Sequence, residues 1–338
     1  MSRKDILVTG GAGYIGSHTV VELYNSGYRP IVVDNLSNTS LKNIKGAEQI
    51  INDKVTFYQF DCTDFDKMDK LFKEQRNIQA IIHFAAFKSV DESVRRPKKY
   101  FTNNIGSTKT VLELMKKHSV NNIIFSSSCT VYGNPNTLPV NEQAPFKKAE
   151  SPYGQTKQMC EKLINESKNN SISLRYFNPI GSHKSVLIGD CSADKPNNLV
   201  PIICEVASGV RNSMQIFGND YNTADGTCVR DYIHVVDLAS AHVMALNHIL
   251  KHTKIKTAYN LGVGRGKSVM EVIDSFEKIN NLKISYTIGP RRDGDVEKIY
   301  SDNSKINQEL RWFPLMSFES ALKTSWEWEK NKTGKSRP

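Results

Sequence analysis

Residues 6–18 read ILVTGGAGYIGSH: an apolar run, then Gly10, Gly13 and Gly16 spaced three apart, then the opening of the segment SHTVVELYNSG. The run has the length of a buried strand, and the apolar residues after it recur at three and four, as on a helix face. Glycines at such a turn let a ligand approach the backbone closely. A second apolar run, IVVD at 31–34, closes on the acid Asp34. Strand, glycine turn, helix, strand and terminal acid is the order of a dinucleotide-binding βαβ unit, with a pyrophosphate on the helix N-terminus and the acid on the ribose hydroxyls. Tyr14 and Ile15 supply part of that wall. An acid at 34 repels a 2′-phosphate, so the expected cofactor is NAD rather than NADP.

The same rhythm continues through VTFYQFD (55–61), AIIHFAA (80–86), NIIFSSS (122–128) and ISLRYFN (172–178), with helical segments such as FDKMDKLFKEQ and NNIGSTKTVLELMKKH between them. Alternation of this kind predicts an α/β fold: a doubly wound parallel sheet of the Rossmann type, covered on both faces. After residue 178 the rhythm breaks into loops rich in Gly, Asn and Pro. Strands are expected near 259 and 284, and helices over 199–209, 237–250 and 268–280. The expected organisation is a Rossmann domain over 1–178 and a second, smaller α/β substrate domain over 179–338, part of whose chain returns to the first sheet.

Composition narrows the classes. The chain has 338 residues, 39% hydrophobic and 24% charged, within the ordinary range for a folded globular protein. Its net charge of +10 is spread along the sequence with no dense basic and aromatic run, so nucleic acid is not expected and an anionic small substrate fits as well. The six cysteines lack CxxC pairs and read as reduced. No apolar run approaches the roughly 18 residues of a membrane span, and the chain passes straight into a strand. A cytoplasmic protein that does not engage a membrane is expected. His18, His83 and His234 have no partner ligands at metal spacing, so no metal is predicted. Trp326 and Trp328 read as packing residues, and EKNKTGKSRP as a frayed tail.

The stretch SPYGQTKQM (151–159) holds Tyr153 and Lys157 four apart. On a helix they share one face with a rise of about 6 Å. By itself such a pair is commonplace; behind a dinucleotide turn it gains meaning. A phenol with a pKa of roughly 10 is a poor base at neutral pH, but a nearby ammonium and a cationic nicotinamide favour the phenolate. Tyr153 is then expected to accept an alcohol proton, with Lys157 lowering its pKa. FSSSCTVYG ends a strand at Ser128, at the carboxyl edge of the sheet where such folds bind ligands. A hydroxyl there can pass a hydrogen bond between substrate oxygen and Tyr153.

The glycine spacing together with SPYGQTK resembles the extended short-chain dehydrogenase/reductases. Seven blocks are similar, nearly word for word, to the UDP-galactose 4-epimerases among them: VTGGAGYIGSH, HFAAFKSVDES, FSSSCTVYG, SPYGQTK, LRYFNPIGSH, IFGNDYNTADGTCVRDYIHVVDLA and PRRDGD. The resemblance implies interconversion of UDP-glucose and UDP-galactose through a 4-keto sugar, with NAD held throughout, and a homodimer. It implies that Ser128, Tyr153 and Lys157 are the catalytic set, Lys157 also bonding the nicotinamide ribose. Cofactor contacts implied in the same way are Asn35, Leu36, Ser37, Asn38 and Thr39 after Asp34, Asp61 and Cys62 at the adenine, Phe84, Ala85, Ala86 and Phe87 beside the dinucleotide, Lys88, Asn103 and Phe177. On the substrate side it implies Lys88, Asn178, Asn198, Leu199, Gln215, Ile216, Phe217 and Ile299. Arg230 and Arg292 would clamp the diphosphate, as guanidiniums suit oxyanions, and Asp295 would hold the uridine ribose.

Ile299 stands where many relatives carry tyrosine or a smaller residue. It leaves turnover of UDP-N-acetylhexosamines open, with UDP-glucose and UDP-galactose expected as the main pair. Nucleotide-sugar 4,6-dehydratases share the tyrosine and lysine but read TDEVYG after the fifth strand. Here Cys129 and Thr130 replace the two acids, so elimination lacks its proton shuttle. A non-catalytic binder of NAD and nucleotide sugar is disfavoured by the presence of Ser128, Tyr153 and Lys157. Cys129 and Cys228 carry no functional expectation.

Overall fold

The computed structural model describes residues 3–192, 196–292 and 295–332; residues 293–294 of PRRDGD, and 333–338 at the end of the basic tail, lie outside the described residues. The apolar runs of the first half become β1 (Lys4–Thr9), β2 (Tyr28–Asp34), β3 (Thr56–Gln59), β4 (Ile78–His83), β5 (Asn122–Ser128) and β6 (Asn170–Tyr176). β1 is buried on both faces from Asp5 to Thr9, which is why Ile6, Leu7 and Val8 at its centre are apolar in succession rather than alternating. The later strands are β7 (Asn178–Ile180), β8 (Met214–Phe217), β9 (Val229–His234), β10 (Lys256–Leu261), β11 (Gly266–Ser268), β12 (Tyr286–Gly289) and β13 (Lys298–Ile299).

Seven strands form one parallel sheet in the order β10-β6-β5-β4-β1-β2-β3. The order reverses at β1, which has β2 on one side and β4 on the other, so the crossover helices diverge to opposite faces there. One face is filled by Ile6, Val8, Val20, Leu23, Leu238 and Leu246, the other by Leu7, Ile31, Met68, Ile81, Leu114 and Ile123. The chain beyond 178 contributes β10 and the helix Val235–Ile249, which packs against the helix Tyr14–Asn25. A smaller mixed sheet has β11 and β13 flanking β9, with β7 also paired to β9; β8 and β12 form a parallel pair. Val200, Ile203, Ile216, Val272, Phe276 and Leu322 make a separate core under these strands.

The carboxyl ends of β1, β4, β5 and β6 thus open toward the second unit. Among the described residues, no helix is long and apolar enough to cross a membrane, and no three His, Cys, Asp or Glu side chains gather as metal ligands. Of the buried histidines, His18 bonds the Tyr14 carbonyl through Nδ1 at 2.8 Å and leaves Nε2 without a partner among the described residues. His83 bonds Thr9 at 2.7 Å and Thr108 at 3.2 Å, and burial pushes its pKa down to about 3. His234 accepts the Val236 N–H at 3.1 Å and caps its helix.

Candidate active site

A cleft of about 340 Å³ runs along the carboxyl edge of the sheet, from the glycine turn to the start of the helix Leu199–Ala207. Gly10, Gly13 and Gly16 line its floor with Tyr14 and Ile15. Gly10 has φ +72°, and a Cβ there would stand 2.7 Å from the Ala85 backbone nitrogen; a Cβ on Gly16 would stand 2.4 Å from the Gly10 carbonyl oxygen. Any side chain at either position would wedge apart the turn that closes β1 onto β4. The helix Tyr14–Asn25 begins at Gly13 with no side-chain cap and no acid in its first turn. Its free N–H groups and positive end therefore face the cleft, a fit for a pyrophosphate.

Asp34 lies at the adjacent edge, buried, its carboxylate accepting the Ala12 N–H at 3.1 Å and the Leu36 N–H at 2.9 Å. Each oxygen retains a lone pair for a hydroxyl, so the carboxylate is both a turn former and a candidate ribose ligand. Burial, followed by the nearby Asp61 charge, raises its pKa against the pull of the two N–H groups. Asn35, Ser37, Asn38, Thr39, Asp61 and Cys62 line the same end; Asn35 donates to Asp61 at 2.7 Å, and Thr39 to the Ala12 carbonyl at 3.0 Å. Leu36 does not line the cleft. It turns through φ +57° and packs on the core, leaving its backbone N–H to Asp34.

Phe84, Ala85, Ala86, Phe87 and Lys88 form the opposite wall with Asn103. Five residues of π-helix, Phe101–Ile105, interrupt the helical run Pro97–Lys117 here. Such insertions redirect side chains. Asn103 lines the cleft, while Asn104 accepts the Phe87 N–H at 2.9 Å and donates to the Phe87 carbonyl and to Thr156, both at 3.1 Å. Asn104 thereby ties the cofactor-side turn to the helix of SPYGQTK. Lys88 pairs with Asp190 at 3.6 Å, a partner the sequence reading did not single out.

That helix, Pro152–Glu166, starts at Ser151, whose hydroxyl accepts the Gly154 N–H at 3.2 Å, with Pro152 at the first helical position. The cap fixes Tyr153 in the first turn and Lys157 one turn later, and both line the cleft with Ser128. Lys157 is 3% exposed, its ammonium donating to the Ser126 carbonyl at 2.5 Å and standing 5.8 Å from the Tyr153 ring centre. Burial lowers its pKa to about 8, with Cys160 and Glu161 resisting, so it stays charged at neutral pH. Burial pushes the Tyr153 phenol up to about 12; the Ser128 hydroxyl pulls it back down, and the Cys129 thiol adds to the rise. Burial thus sets the phenol high in the protein alone, before any cofactor charge is present.

Phe177, Asn178, Asn198 and Leu199 complete the cleft toward the second unit. Beyond them lies an adjoining pocket of about 170 Å³ that shares Lys88 and Asn198 and adds Arg292. Arg292 forks onto Asp295 at 3.1 and 2.8 Å, and Arg230 reaches the same carboxylate at 3.3 Å, with Phe217 under Arg292 at 5.4 Å. Four predicted substrate residues therefore converge, although Arg230, Asp295 and Phe217 do not line either cavity. Gln215 and Ile216 are also outside the linings. The alternation of β8 turns the Ile216 side chain into the core. Ile299, expected beside the hexose, is 4% exposed and packs with Cys129, Val131, Tyr132, Val140 and Phe177. Cys129, not Ile299, reaches the cleft lining. Ser126, Thr130, Tyr176 and Tyr232 also line it and were not anticipated. Of these, Thr130 lay in plain view inside SCTVYG.

A family model described as GDP-mannose 4,6 dehydratase matches residues 7–325. The UDP-glucose 4-epimerase of Dictyostelium discoideum is 47% identical over 329 residues, covering 96% of this chain and 95% of its own. That of Bacillus subtilis is 47% identical over 329 residues, covering 96% of each. A solved UDP-glucose 4-epimerase from Stenotrophomonas maltophila, with bound NAD and formylated UDP-arabinopyranose, superposes with a TM-score of 0.95 at 40% identity, covering 99% of this chain and 100% of that one. The Bifidobacterium longum enzyme in complex with NAD+ and UDP gives 0.93 at 43% identity, covering 98% and 99%. With the glycine turn, Ser128, Tyr153 and Lys157 on one cleft, and Cys129 and Thr130 where a dehydratase places its acids, the chain belongs to the UDP-glucose 4-epimerases of the extended short-chain dehydrogenase/reductase family.

Proposed function

We propose that this enzyme interconverts UDP-galactose and UDP-glucose at C4 with the division of labour that follows. The observation that carries it is the gathering of Ser128, Tyr153 and Lys157 on the wall of a cleft whose floor is the glycine turn. Gly10, Gly13, Gly16 and the helix start would hold the cofactor pyrophosphate, Asp34 a ribose, and the 61–62 and 84–88 segments the flanks. Bound there, NAD supplies a hydride acceptor and donor for C4. Tyr153 takes the proton of the 4-hydroxyl and gives it back to the 4-keto oxygen once the ketone has presented its other face. Ser128 donates its single hydroxyl proton in a hydrogen bond to the phenol. Lys157, anchored on Ser126, places a buried positive charge beside the phenol.

Arg292, Arg230 and Asp295 support a fixed grip on the UDP half, with Lys88, Asn178, Asn198 and Leu199 nearer the reacting carbon. A firm nucleotide and a loosely held hexose allow the ketone to present both faces. The same resemblance supports a homodimer, and Val94 and Met159 are exposed apolar side chains on neighbouring helices. All six cysteines are unpaired, which supports the cytoplasm as its compartment. The test is incubation of the purified protein with UDP-galactose and sugar analysis of the product. UDP-glucose is expected, and Tyr153→Phe should stay folded and lose about 10²- to 10⁴-fold in rate. A stable 4-keto-6-deoxy sugar, or no turnover by a folded, NAD-loaded protein, would defeat the reading.

A further inference from the structure

Ser128 ends β5 and caps the short 3₁₀ turn Cys129–Tyr132. Its oxygen accepts two hydrogen bonds from one residue: the Thr130 N–H at 3.2 Å and the Thr130 hydroxyl at 3.0 Å. A serine oxygen has two lone pairs and one proton. Thr130 occupies both lone pairs, so the proton must point elsewhere. Thr130 also touches the other half of the site. Its carbonyl oxygen and Cβ lie 3.2 and 3.5 Å from where a Cβ on Gly154 would stand, immediately after Tyr153.

We propose that Thr130 is a positioning residue for the epimerisation: by occupying both lone pairs of Ser128 it fixes that hydroxyl as a one-way donor of its single proton to the Tyr153 phenol, and it packs against Gly154 to set the gap between the two. Thr130 transfers no proton itself. An unrestrained serine hydroxyl rotates among staggered positions, some of which turn a lone pair toward the phenol and disfavour the phenolate. The direction in which Ser128 acts on Tyr153, lowering its pKa, is that of a donor. The inference rests on the role proposed above for Ser128.

The experiment uses the NAD-loaded enzyme with UDP-galactose, comparing wild type, Thr130→Val, Thr130→Ser, Ser128→Ala and the Ser128→Ala/Thr130→Val double variant. Valine keeps the shape and the backbone donor and removes only the hydroxyl. We expect Thr130→Val to lower kcat about five- to tenfold with KM within about twofold, the scale of one lost hydrogen bond. The acid limb of kcat should move about half a unit to higher pH. Thr130→Ser should recover the wild-type rate to within about twofold, and in the Ser128→Ala background Thr130→Val should cost nothing further. Should the valine variant not fold, Thr130→Ala carries the same comparison. An equal loss with and without Ser128, an unmoved limb, or a serine variant as slow as the valine would overturn the proposal. A full-rate Ser128→Ala would instead overturn the reading of the site, and the role of Thr130 with it.

Discussion

The Lys157 ammonium lies 2.5 Å from the Ser126 carbonyl oxygen and 5.8 Å from the Tyr153 ring centre. It is tethered to the end of β5, with the phenol ring across a gap from it. The phenol itself sits near pKa 12 through burial, so any rate at neutral pH depends on positive charge brought close to it.

Removing that charge should move the pH profile in a definite direction. The base works deprotonated, so the rate rises with pH as the phenolate forms. Lys157→Met withdraws positive charge and raises the phenol pKa, so the acid limb of kcat/KM should shift up by about one unit. The check is a pH series on wild type and variant at saturating NAD. An unmoved limb would limit Lys157 to anchoring.

Arg292 gives a second, separable outcome. It forks onto Asp295 and lines the outer pocket, away from Ser128 and Tyr153. A charge-assisted hydrogen bond contributes about 1.5–3 kcal/mol, so Arg292→Leu should weaken UDP binding about ten- to a hundredfold and leave kcat nearly unchanged. Titration calorimetry with UDP measures the first and saturation kinetics the second. A fall in kcat at unchanged affinity would remove Arg292 from the nucleotide grip.

Beneath the site, Arg175 and Glu161 form a bidentate pair at 3.0 and 2.8 Å, with side chains 7% and 1% exposed, extended by Ser127 onto Glu161 and by Arg175 onto Tyr132 at 2.9 Å. Breaking one side of such a pair strands the other charge. Glu161→Gln should therefore cost about 3–5 kcal/mol in urea unfolding. A cost below about 1 kcal/mol would mean that Arg175 finds another partner or reaches water.

Much of this molecule is legible in its sequence, for physical reasons. Strands buried on both faces carry apolar runs, so β1, β2, β4 and β5 announce themselves; β6 (NSISLRY) alternates Ser with Ile and Leu, and β10 is visible in YNLG. The short strands β7, β9, β11 and β13 are not, because pairing of strands of two to six residues is decided by tertiary contacts. Tyr153, Lys157 and Ser128 were legible because caps and strand ends have local signatures, Ser151 and Pro152 among them. The burial of Ile299 behind Cys129 and the double hold of Thr130 on Ser128 depend on which side of a turn each atom faces. Spacing carries no such information.

A single turnover should move one hydride off C4 and back to the same carbon while the nucleotide stays gripped. UDP-galactose carrying deuterium at C4, incubated in ordinary water with the purified enzyme, tests this most directly. The UDP-glucose formed should keep the label at C4, with no free keto sugar accumulating. Loss of the label to solvent, or formation of UDP-glucose only when external reductant is added, would contradict the account.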